Sequence, residues 1–153
     1  MEESLGENMA DKLFDRLKAM IQEKDIRAVK MMSPLHLAYI GDAVYEVLVR
    51  TYLVNNKETS VNQLHREAVK YVKAESQADI VHYLEEYLNE EEWSIVKRGR
   101  NAKSGSVPKN ANLIDYKYAT GFEALIGFLY LTGRYEKLLD IFELILNKIK
   151  EDQ

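Results

Sequence analysis

The sequence predicts an all-α protein of a single domain, and three observations carry that prediction. Two prolines and seven glycines in 153 residues are too few for an all-β chain that must turn every ~10 residues. Apolar residues recur at three-and-four spacing along most of the length, the period of an amphipathic helix. No segment offers a strand candidate, and no internal repeat or low-complexity run divides the chain.

The first helix is expected over residues 8–24, where Met9, Leu13, Phe14, Leu17, Met20 and Ile21 fall at helical spacing. Ser33-Pro34 then supplies an N-cap followed by proline at the first helical position. The helix it opens, about 34–54, is apolar nearly all the way round, which predicts burial on several sides. Ser60 with Gln63 has capping-box spacing and starts a helix over about 61–74. Another is expected over 76–88, carrying Ala78, Val81, Tyr83, Leu84, Tyr87 and Leu88. Asn89 with Glu92 forms a second capping box, ahead of Trp93, Ile95 and Val96. Residues 99–112, GRNAKSGSVPKNAN, have two glycines, a proline and no apolar period, so they read as the one long loop. Residues 113–132 form a further apolar helix that stops at Gly133. The last helix, about 135–150, repeats Leu138, Leu139, Phe142, Ile145, Leu146 and Ile149 on one face.

Composition narrows the function classes. With 46% hydrophobic and 30% charged residues the chain can bury a full core and is unlike a disordered segment. The absence of cysteine excludes disulfides, thiolate zinc sites and a cysteine nucleophile, and fits a reducing cytosol. The longest apolar stretch, Leu35 to Val49, is broken by His36, Asp42 and Glu46, so no membrane span is expected. The opening MEESLGENMADK is acidic and lacks the basic-then-apolar order of a secretory signal. A soluble, cytoplasmic protein is the expectation. The net charge of −4 does not favour nucleic acid as a whole-molecule field, so the distribution of charge decides more than its total.

Two apolar helices each hold a carboxylate where a core helix would have none: Asp42 in LAYIGDAVYEVLVR and Glu123 in ATGFEALIGFLYL. An unpaired buried carboxylate is costly, so each calls for a partner, a proton or a cation. Glu46 lies one helical turn after Asp42 on the same face. Two readings follow. The acids converge on a divalent metal, or each pairs with an arginine such as Arg50 or Arg134.

The residues around these acids carry a resemblance. Tyr39-Ile40-Gly41-Asp42-Ala43-Val44 resembles the second half of the ribonuclease III signature, Glu-Phe-Leu-Gly-Asp-Ala-Val. Glu123-Ala124-Leu125-Ile126-Gly127 resembles the family's second acidic helix. The likeness spans about Leu35 to Gly133, and YIGDAVYE and FEALIG are most similar to the compact branch that lacks a double-stranded RNA-binding domain. The resemblance implies a ribonuclease III-like catalytic domain over residues 1–153, with its core at about 34–150. It implies magnesium-dependent endonucleolytic cleavage of double-stranded RNA by a homodimer, and precursor large-subunit ribosomal RNA as substrate. Asp42 and Glu123 then match the family's catalytic metal ligands, and Tyr39 matches an aromatic position of the dimer interface. Two family carboxylates are replaced, by Ala38 and Thr120. Magnesium needs only one or two protein carboxylates when waters and phosphates complete its shell.

Between Lys97 and Lys117 six basic residues face Asp115 alone. Lys97, Arg98, Arg100, Lys103 and Lys109 are the expected RNA contacts, with Gly99, Ser104, Gly105 and Ser106 allowing close approach to phosphates. Glu85 to Glu92, with five acids and no base, reads as a solvated face. His36, His65 and His82 lack metal-ligand spacing and read as surface or capping residues, while His65, Arg66, Lys70 and Lys73 line one helix that can touch phosphates. Two rivals to the nuclease reading are a non-catalytic relative that binds structured RNA or the ribosome, and a helical protein–protein adaptor.

Overall fold

A computed structural model describes residues 2–21, 25–103 and 107–153. Within them all repeating structure is helical, as the sequence predicts. Residues Gln22, Glu23 and Lys24 of the first expected helix, and Ser104, Gly105 and Ser106 of the expected loop, lie outside the described residues. The chain forms two compact units, residues 1–31 and 32–153. The first holds α1 (Glu2–Ile21) and the short α2 (Ile26–Lys30). Asp25 caps α2, its Oδ1 accepting from the Ala28 N–H at 2.8 Å. On α1, Met9, Leu13, Phe14 and Met20 are exposed.

The second unit holds α3 (Pro34–Asn56), α4 (Val61–Val72), α5 (Ala74–Leu84), a 3-10 turn (Glu85–Tyr87), α6 (Glu90–Asn101), α7 (Leu113–Leu131) and α8 (Tyr135–Glu151). Local chemistry sets their starts. Ser33 Oγ accepts from the Leu35 N–H, Ser60 Oγ from Gln63 and Asn112 Oδ1 from Ile114 and Asp115. The Asn89–Glu92 capping box is complete, with both side chains bonded to the other's backbone. Gly133, at φ 72°, takes the left-handed position that ends α7.

Helix α7 is the centre of the unit and packs against α3, α5, α6 and α8. Nine of its residues are buried, among them Phe122, Leu125, Phe128 and Leu129. Tyr45 of α3 meets Phe122 edge-on at 4.9 Å and donates its hydroxyl to the Tyr71 carbonyl at 2.9 Å.

Several expectations need correction. The helix expected over 76–88 ends at Leu84 and tightens into the 3-10 turn. The loop expected from residue 99 starts after Asn101, because Gly99 lies inside α6 with its backbone against α7. Lys97, Arg98 and Arg100 therefore sit on a helix, whereas Lys103 and Lys109 belong to the loop. The acidic run is not wholly solvated: Glu92 is buried as a cap, and Glu91 pairs with Arg134. Helix α3, expected to be buried on several sides, leaves Tyr39, Val47 and Val54 exposed along its outer side.

Candidate active site

Two glycines bring α3 and α7 into backbone contact. A Cβ placed on Gly41 would overlap the Glu123 carbonyl oxygen and stand 2.8 Å from the Gly127 nitrogen. A Cβ on Gly127 would overlap the Leu37 carbonyl oxygen. Any side chain at either position would push the helices apart. Asp42 follows Gly41 directly and Glu123 lies one turn before Gly127, so both acids flank the crossing. A second pair works on the opposite partner of α7. A Cβ on Gly99 would stand 2.7 Å from the Gly121 Cα, and α6 seats there.

The charge of Asp42 bears on Glu123. Glu123 is half-buried, and its carboxyl is pushed up to about 8, first by desolvation, then by the negative charges of Asp42 and Glu46. A hydrogen bond from the Gln77 side chain opposes that rise. Asp42, on the open side of α3, is also raised, by desolvation and then by the charge of Glu46. Among the described residues no cation contributes to either shift. The two readings of the acids therefore separate: Glu46 pairs with Arg50 at 2.9 Å and Arg134 pairs with Glu91, while Asp42 and Glu123 join none of the ion pairs among the described residues.

That outcome corrects the idea of three converging metal ligands. Among the described residues no group of three His, Cys, Asp or Glu side chains is arranged to hold a metal ion. What remains is two carboxylates in no ion pair among the described residues, and the buried Gln77, whose Oε1 has no hydrogen-bond partner there. This oxygen-only set suits a hard cation that retains several waters, and it offers nothing to a soft metal. The positions of the two replaced family carboxylates contribute nothing further. Ala38 is buried, and the Thr120 hydroxyl bonds back to the Tyr116 carbonyl of its own helix at 3.1 Å.

The remaining expected site residues lie apart. Tyr39, on the outer side of α3 one turn before Asp42 and Ala43, is 84% exposed. Lys97, Lys103 and Lys109 are exposed. Arg98 and Arg100 are half-buried and engaged with protein: Arg98 donates to the Met32 carbonyl at 3.0 Å, and Arg100 lies over the Tyr118 ring at 5.6 Å. His82 meets the same ring at 4.5 Å, a packing role. On α4, Lys70 pairs with Glu67 at 3.2 Å. Sequence reasoning missed Gln77, although its register offered a signal: residues 77, 80, 81 and 84 line one face of α5, and the other three are core.

Comparison with known proteins agrees with this fold. The family model described as Ribonuclease III domain matches residues 35–134, which contain both acids and both glycines of the crossing. A Mini-ribonuclease 3 of Clostridium tetani is 50% identical over 124 residues, covering 80% of this chain and 82% of its own. One from a Thermoanaerobacter species is 53% identical over 123 residues, covering 80% and 87%. A Mini-ribonuclease 3 of Staphylococcus aureus is 47% identical over 123 residues, covering 79% and 89%. The crystal structure of a Fusobacterium nucleatum protein superposes with a TM-score of 0.70 at 30% identity, covering 77% of this chain and 94% of that one.

Proposed function

The chain belongs to the Mini-ribonuclease 3 branch of the ribonuclease III family, and from that premise we propose that it is a magnesium-dependent endoribonuclease acting on double-stranded RNA. Its substrate in this reading is precursor large-subunit ribosomal RNA, its working form a homodimer, and its compartment the cytoplasm. Among the described residues no helix is long and apolar enough to cross a membrane. One observation supports the proposal: Asp42 and Glu123 flank a glycine crossing, and neither joins an ion pair among the described residues.

Asp42 and Glu123 would hold the magnesium ion. When bound, that ion supplies an activated water and offsets charge developing on the phosphate. The protein's own residues do the remaining work. The α3–α7 contact fixes the two carboxylates on rigid helices rather than on loops. Desolvation raises the energy of the Glu123 anion, so its carboxyl keeps a proton near neutrality until a positive charge arrives. Glu46 is tied to Arg50 and adds negative field without being a ligand.

RNA would be held by the exposed Lys97, Lys103 and Lys109, with Arg98 and Arg100 stiffening the end of α6 against Met32 and Tyr118. For the homodimer the support is the outer stripe of α3, where Tyr39, Val47 and Val54 are 84%, 63% and 63% exposed. Apolar side chains in a row on one helix face mark an interaction surface. That stripe adjoins a groove of about 400 Å³ between α3 and α4, to which Val54, Val61 and Val69 contribute.

The replaced acids at Ala38 and Thr120 favour one rival, a non-catalytic module that binds structured RNA or the ribosome. Incubation of a labelled RNA duplex and its single strand with magnesium or with a chelator separates the two. Cleavage confined to the duplex with magnesium is expected. Binding without cleavage would favour the rival.

A further inference from the structure

Helix α1 carries an apolar stripe that the proposed activity does not use. The match to the ribonuclease III model begins at residue 35, and residues 1–31 form a compact unit of their own. On α1, Met9, Leu13, Phe14, Leu17 and Met20 are all exposed, Leu13 at 59% and Met20 at 82%. Large apolar side chains gathered on one helix face mark an interaction surface. Two properties of the stripe point to what covers it.

The first is symmetry. Ala10, Leu13, Leu17 and Met20 follow the alternating three-and-four spacing of a coiled-coil seam, and they are arranged evenly about position 15. A second α1 running the opposite way therefore sets Ala10 against Met20 and Leu13 against Leu17, a small residue against a large one at each end. A parallel copy sets alanine against alanine and methionine against methionine, with a gap at one end and crowding at the other. The second property is charge. Residues 2–11 hold four acids and no base, and residues 12–21 hold three bases and one acid. Antiparallel helices keep the two acidic ends apart, whereas parallel helices set them side by side with their dipoles aligned. The acidic excess of α1 also sets it apart from the basic helices that lie on anionic lipid or along RNA.

We propose that α1 pairs antiparallel with α1 of a second copy of this chain, through a seam of Ala10, Leu13, Leu17 and Met20. The contact is isologous, since one stripe meets its own copy across a two-fold axis. A helix of 20 residues is marginal alone in water, and pairing is what stabilises it. The pairing does not depend on the nuclease reading, because α1 lies outside the matched domain.

The chain has no cysteine, so introduced thiols report the arrangement directly. The full chain with both Ala10→Cys and Met20→Cys is oxidised at micromolar concentration and its disulfides are mapped by peptide mass. A covalent dimer is expected, with links from position 10 of one copy to position 20 of the other exceeding like-with-like links by roughly tenfold. Adding Leu13→Asp to the same chain should cut the covalent dimer by roughly tenfold, because the charge would be buried in the seam. The melting transition of residues 32–153 reports that each variant is folded. Like-with-like links would overturn the antiparallel pair. A chain that stays monomeric after oxidation, with α1 free or folded onto its own copy, would overturn the second copy as partner. So would a stripe that is protected from hydrogen exchange only when phosphatidylserine vesicles or duplex RNA are added.

Discussion

Gly41 meets the backbone of Glu123 with no side chain between them, and a methyl group at position 41 would overlap the Glu123 carbonyl. The glycine beside the first acid is thus a spacer that sets the distance to the second. Gly41→Ala is expected to force α3 from α7, at a cost of about 1–3 kcal/mol or more from overpacking. For a chain this size that lowers the melting temperature by roughly 2–12 °C. Cleavage should fall further than stability explains, because both carboxylates ride on the displaced backbones. Differential scanning calorimetry with a cleavage assay on the same samples checks both parts.

The same crossing makes stability depend on pH. The Glu123 carboxyl lies at about 8 in the fold, against an ordinary value of 4.5. A raised folded pKa means the folded state binds the proton more tightly, so the contribution is complete below the ordinary value and lost as pH rises through about 8. Metal-free wild type should therefore lose stability relative to Glu123→Gln between about pH 5 and pH 9. After allowance for solvent near the site the gap should reach about 1 kcal/mol, or 2–4 °C in melting temperature. Melting curves in chelator across that range report it, and a gap that does not widen would contradict the desolvated state of Glu123.

RNA affinity should follow the exposed lysines rather than the arginines. Arg98 and Arg100 are engaged with Met32 and Tyr118, whereas Lys97, Lys103 and Lys109 point their charge outward. Each phosphate contact adds about 0.9 to the slope of log affinity against log salt, by analogy with duplex DNA. Replacing the three lysines with alanine should reduce that slope by roughly two to three units, measured with calcium in place of magnesium. An unchanged slope would move the RNA to the α4 face of His65, Arg66 and Lys73.

Self-association should run through the outer stripe of α3. Light scattering is expected to give twice the 17.8 kDa chain mass. Tyr39→Asp places a charge in the apolar stripe and should shift the mass toward the monomer. A wild-type mass near one chain at micromolar concentration would contradict the dimer.

How much of this was legible in the sequence varies from element to element. The starts of α3 and α6 were readable because Ser33-Pro34 and Asn89–Glu92 are local devices, complete within four residues. Gly99 misled, reading as the start of a loop. Its place inside α6 is set by Gly121 on another helix, and no local signal reports that contact. The two acids were found by their apolar surroundings, and the glycines beside them by the family motif, yet that the glycines touch the opposite helix emerged only in three dimensions. The expectation of α3 buried on several sides left its exposed outer stripe unread for a related reason. Apolar content alone does not distinguish a core face from a surface held for a second molecule, as Tyr39 and Val47 illustrate. Gln77 was overlooked among the polar residues of Glu75 to Asp79, since only its register on α5 marks it as internal.

The central claim is that Asp42 and Glu123 together form the catalytic metal centre. The most direct measurement is the single-turnover rate of duplex cleavage for Asp42→Asn and Glu123→Gln across a magnesium titration, with far-ultraviolet circular dichroism on each variant. Both substitutions keep shape and remove only charge. Loss of several kcal/mol of metal-mediated stabilisation predicts a fall of at least about a hundredfold in each, with helicity unchanged and no recovery at high magnesium. Near wild-type cleavage by either variant, at any magnesium concentration, would contradict the account.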